Sequence, residues 1–225
     1  MYRLMTTHTN FHTISFILIL VGLAGCEKKT PQSSASNEIG FGEFKEGIYS
    51  NDYFNLSVKI PTDWTVQSIE ERLNLTEVGA QIISGDDKNL AAMAKASELE
   101  SVPLLSTFKH PLGAPVESNP NLMSVADRVI MFPGIKRGSD YLFHTKKLLS
   151  AGQLEVEFTN EGYSKTIGKK EFDAMDLTMR VGGIPIYQKY YCTIANDYAL
   201  AFIITFANEQ EETELQHILD KISFE

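Results

Sequence analysis

Few residues in this chain of 225 have the type and spacing to do covalent chemistry, and Cys26 is the foremost of them. It is one of two cysteines, it follows the small pair Ala24-Gly25, and it closes an apolar run that starts at Ile14. A thiolate is a strong nucleophile, able to take an alkyl or lipid group as a thioether. The second cysteine, Cys192, sits among tyrosines in a strand-like stretch, where a buried inert thiol is expected and a reactive one is the alternative. With Cys26 modified, no disulfide can form within the chain, so the core alone must hold the fold.

Three histidines follow Cys26, namely His110, His144 and His217, and none has metal-ligand spacing to a cysteine or carboxylate. The chain contains no G-x-S-x-G, no H-E-x-x-H and no P-loop; Gly40, Gly42 and Gly47 have the wrong spacing for one. Asp86-Asp87 lacks the other ligands of a calcium loop. Adjacent carboxylates at Glu70-Glu71 and Glu211-Glu212 diverge around a helix, so they are not a converging acid-base pair. His110, placed before Pro111 in the turn-rich stretch 110–122, is the one candidate for an unrecognised hydrolase-like site. No catalytic, cofactor-binding or metal residue is otherwise expected, and no cofactor. Tyr187, Tyr190, Tyr191 and Tyr198 read as sheet packing, with a binding surface as the alternative.

The stretch Leu23-Ala24-Gly25-Cys26 resembles a bacterial lipobox. Its apolar run is about the length of a signal-peptide core and short of the ~20 residues of a membrane span. The resemblance implies cleavage before Cys26, a diacylglyceryl group on its sulfur and a further acyl chain, such as palmitate, on the new amino terminus. Two or more chains anchor a protein stably where one does not. Residues 1–25 would then be a cleaved leader, 26–45 a lipidated flexible tether and 46–225 one domain outside the cytoplasm. Glu27, rather than aspartate, leans the localisation toward the outer membrane, periplasmic side.

Without the leader's single basic residue, Arg3, the net charge of −9 becomes −10. That balance opposes nucleic acid as a partner. Phe54, Leu56, Val58 and Ile60 alternate as one face of a strand that Pro61 stops. Trp64 then reads as a core lid, with ligand stacking as the alternative. Ser68 and Glu71 form a capping box ahead of Ile69, Leu73 and later apolar residues, predicting a helix to about Ile83. A second helix is expected over Asn89–Glu98, a strand at 104–108 and a mobile loop at 110–122. Ser139 reads as the cap of a helix to Leu149. Beyond it, alternation predicts strands through 154–158, 175–181, 184–194 and 198–206, the last two joined by an Ala195-Asn196-Asp197 turn. Both faces of 198–206 are apolar, marking a central strand. Leu215, Ile218, Leu219 and Ile222 give the stripe of a closing helix opened by Asn208.

Two blocks, Tyr49–Pro61 with Trp64 and Ile218–Phe224, are similar to PsbP-like domains, including bacterial lipoproteins of the DcrB type. The resemblance implies an α+β fold, an antiparallel sheet flanked by helices, acting as a binding or assembly module. It carries over no site residue. The expected function is a lipid-anchored, non-catalytic accessory module of the cell envelope. It would reach the membrane through the lipid on Cys26 and have another envelope protein or a small ligand as partner; the alternative is an envelope enzyme near His110.

Overall fold

Alternating apolar residues with few helix signals make the second half of the chain a run of long hairpins. A computed structural model describes residues 39–92, 101–181 and 183–225. The stretch read as a lipobox, with Cys26, Glu27 and most of the expected tether, lies outside the described residues, as does the second half of the expected helix Asn89–Glu98. The chain first forms β1 (Glu43–Lys45), β2 (Ile48–Asn51), β3 (Leu56–Lys59), β4 (Thr65–Val66), α1 (Ile69–Ser84), β5 (Ser101–Phe108) and β6 (Asn121–Arg128). It continues with α2 (Gly138–Ala151), β7 (Glu155–Ile167), β8 (Lys170–Val181), β9 (Ile184–Ala195), β10 (Tyr198–Phe206), α3 (Glu209–Leu219) and β11 (Ile222–Phe224).

Seven strands form one antiparallel sheet in the order β4-β5-β6-β10-β9-β8-β7, and a smaller sheet runs β1-β2-β3-β11. The large sheet has two apolar faces. Met123, Val125, Met175, Ala201 and Ile203 meet Leu75 and Ile83 of α1 and Tyr141, Leu142 and Leu149 of α2. Leu122, Phe172, Leu200, Phe202 and Ile204 meet Leu56 and Val58 of the small sheet and Leu215 and Ile218 of α3. The result is three layers, an α+β fold with antiparallel sheets flanked by helices. β10 lies at the middle of the large sheet, as its two apolar faces require, and Asn196 and Asp197 turn into it with φ of 50° and 66°.

Several expectations change. β1 begins at Glu43, inside the segment read as tether, because Glu46 and Gly47 both take positive φ and fold Glu43–Lys45 back on β2. β6 was not foreseen: both its faces are buried, so Asn121–Asp127 shows no period of two. In α1 the capping box forms, but the buried side is Arg72, Leu75, Thr76, Gly79 and Ile83, while Ile69 and Leu73 are exposed. Asp140, not Ser139, closes the start of α2, its carboxylate accepting from the backbone N–H of Lys136 and Arg137 at 3.0 Å. Ile222 leaves the closing helix and pairs as a strand with Val58. Trp64 is buried in the core, as read.

Candidate functional site

The pairing of β8, β9 and β10 puts Asp176 opposite Lys189 and Tyr187 opposite Phe206. Their side chains emerge on the face that α3 covers, beside the start of that helix. Asn208 caps α3 by accepting from the Glu211 N–H at 3.0 Å, and Glu209, Glu211 and Glu212 follow in its first turn. Acids there are favoured by the partial positive charge of the helix start. Between these elements opens a groove of about 490 Å³ lined by Asp176, Tyr187, Lys189, Phe206, Glu209 and Glu212, among others.

Lys189 is the electrostatic centre of the groove. Its Nζ lies 2.7 Å from Glu212 Oε1 and 3.6 Å from Asp176 Oδ2. Burial alone pulls the ammonium's pKa down, but the Glu212 hydrogen bond and the two carboxylates push it further up, so its pKa is raised. The Tyr163 hydroxyl donates to the other oxygen of Asp176 and is itself pushed up, mainly by burial. Three carboxylates against one ammonium leave the groove net negative. Its remaining wall is aromatic: Tyr187 stacks on Phe206 with centroids 5.7 Å apart and planes at 23°, and keeps 37% of its surface exposed.

His110 does not line this groove. Its backbone N–H donates to Asn119 Oδ1 at 2.9 Å and its carbonyl accepts from Asn119 Nδ2 at 2.8 Å. That clasp closes the loop expected to be mobile. Ser118 to Glu211 and Lys109 to Glu214 then tie the loop to α3. His217 is exposed on α3 with Nδ1 2.8 Å from the Thr213 carbonyl, and His144 is exposed on α2. Of the tyrosines, Tyr190 and Tyr191 are fully buried on opposite faces of the sheet; Tyr198 packs edge-on against Tyr53. Only Tyr187 of the four reaches the groove. Cys192 is buried, and burial with Asp127 and Asp173 nearby raises its thiol well above the usual range, which favours the protonated, unreactive form. Among the described residues no three histidine, cysteine or acidic side chains come together to hold a metal ion. No helix among them is long and apolar enough to cross a membrane.

Two buried polar centres escaped the sequence. Asp127, 4% exposed, accepts from the hydroxyls of Ser101 and Tyr141 and is pushed up by burial to about 7, with both hydrogen bonds opposing. Arg72 reaches from α1 to the carbonyls of Phe41, Pro103 and Leu104. The partners of each come from distant segments, so spacing gave no sign of it.

No family model matches the sequence. No curated protein matches it either. Among solved structures, the chain is similar to cyanobacterial PsbP (CyanoP) from Synechocystis, at 11% identity and a TM-score of 0.47, covering 88% of this chain and 98% of that one. It is also similar to LpqN, involved in cell envelope biogenesis of Mycobacterium tuberculosis, at 12% identity and 0.39, covering 75% and 82%. A third likeness is to the type VI secretion immunity protein TplEi of Pseudomonas aeruginosa, at 10% and 0.37, covering 80% and 99%. No residue role passes from these proteins to this chain.

Proposed function

We propose that the chain is a lipid-anchored, non-catalytic binding module of the cell envelope, held by Cys26 and receiving its partner at the groove beside α3. The observation that carries the binding site is the half-open aromatic wall of Tyr187 on Phe206. Tyr187, left accessible on the buried Phe206 ring beside fixed charges, offers apolar contact and directional bonding together, the composition of a recognition surface. Lys189 is occupied by Asp176 and Glu212, which suits a rigid contact surface better than proton transfer. The lipid anchor rests on the leader sequence ending in Cys26.

Two measurements test the two parts separately. Cys26→Ala should abolish incorporation of labelled fatty acid and release the chain from the membrane fraction; retention without lipid in the unaltered chain refutes the anchor. Crosslinking in cells from a photoreactive group at Tyr187 should trap a defined partner or ligand. A crosslink yield equal to that from the distant exposed residue Lys88 refutes the groove as the binding site.

A further inference from the structure

The segment between β6 and α2 is built like a membrane-contacting tip. Ile130 and Met131 project at its end, 50% and 77% exposed, although core positions for such side chains abound in this fold. The base of the tip is fixed. Val129 is in the core and its N–H donates to the Asp197 carbonyl at 2.9 Å, while Ile135 packs against the same core. Within the tip, the Phe132 N–H donates to the Val129 carbonyl at 2.8 Å and the Ile135 N–H to the Phe132 carbonyl at 2.9 Å. These bonds pair backbone groups on either side of Ile130 and Met131, which lowers the cost of bringing the tip into the interfacial layer of a bilayer.

Charge selects the surface. From Arg128 to Ser139 the chain holds three basic residues and no acid, within a protein of net charge −9. Lys136 is exposed, and the side chain of Arg137 is 76% exposed, with its Asp140 contact at 3.9 Å. Apolar tips flanked by cations bind anionic bilayers, since each cation near the surface adds attraction to the apolar insertion.

We infer that the Ile130-Met131 tip, flanked by Lys136 and Arg137, docks on an anionic lipid surface and so orients the domain on the membrane. The proposal draws on the anchor reading only for proximity. A lipid on Cys26 leaves twelve residues before Ile39, a reach of about 40 Å when extended.

The test uses the full chain with Cys26→Ala and Met131→Cys, carrying an environment-sensitive fluorophore at position 131; Cys192 is buried and does not label. Leu112→Cys, in the loop tied to α3, is the control site. With phosphatidylcholine vesicles containing phosphatidylglycerol, the probe at 131 should shift to shorter wavelength and be quenched by shallow spin-labelled lipid, while the probe at 112 should not. Lys136→Glu with Arg137→Glu should weaken the response at least tenfold. A probe at 131 that keeps its aqueous emission while the chain sediments with vesicles overturns the proposal. So does equal insertion into vesicles of phosphatidylcholine alone, or a shift that arises only when an envelope protein is added. Both probe sites share one unlipidated leader, so the contrast between positions 131 and 112 separates failure of this proposal from failure of the anchor reading.

Discussion

The carboxyl of Asp127 should leave a signature in the pH dependence of stability. Burial raises it from 3.8 to about 7, against the hydrogen bonds from Ser101 and Tyr141. The native protein then holds a proton that the unfolded chain has already lost between about pH 4 and pH 7. The native state binds more protons, so the contribution of Asp127 to stability is complete below about pH 4. It falls as pH rises and levels off above about 7. The pKa change from 3.8 to about 7 corresponds to about 4 kcal/mol across that window, at ~1.4 kcal/mol per decade. Asp127→Asn keeps the shape and a hydrogen-bonding head group but cannot titrate. Urea unfolding of both proteins from pH 4.5 to 8 isolates the effect, because other groups cancel in the difference. The stability of the unaltered protein relative to Asp127→Asn should decline by a few kcal/mol with rising pH. A flat difference, within about 0.5 kcal/mol, or one that grows with pH, refutes the burial account.

Substitutions at three further positions probe the frame of helices and sheet. Gly138→Ala places a Cβ 1.9 Å from the Cys192 carbonyl oxygen, so α2 must lift from β9. The expected cost is about 3 kcal/mol, or roughly 6–12 °C in Tm by calorimetry. Arg72→Ala strips the guanidinium from three backbone carbonyls and should cost about 3–5 kcal/mol in denaturant unfolding, whereas Arg72→Met, which keeps the packing, should cost less. Leu73→Lys, at an exposed position that helical spacing places on the apolar side, should change stability by under about 0.5 kcal/mol. A larger loss would restore the face read from Ile69 and Leu73.

Local signals determined much of this protein. The Ser68-x-x-Glu71 box, the Asn196-Asp197 turn and the alternation of Phe54 to Ile60 each depend on neighbours within a few residues, and each stands as read. The double apolar face of β10 even fixed its central place in the sheet. The lipobox reading, too, rests on contiguous residues and belongs wholly to the sequence.

Tertiary structure decided what depends on residues far apart in the chain. β6 became a strand because β5 and β10 flank it, although its sequence lacks a period. Arg72 is buried because carbonyls some thirty residues away on either side receive it, and that turned the inward face of α1 away from Leu73. The groove likewise needs Asp176, Lys189 and Glu212 from two strands and a helix, and no spacing within one element encodes their meeting. Hydrogen bonds and ion pairs act over about 3–4 Å, so only the folded path of the backbone could bring such residues within reach.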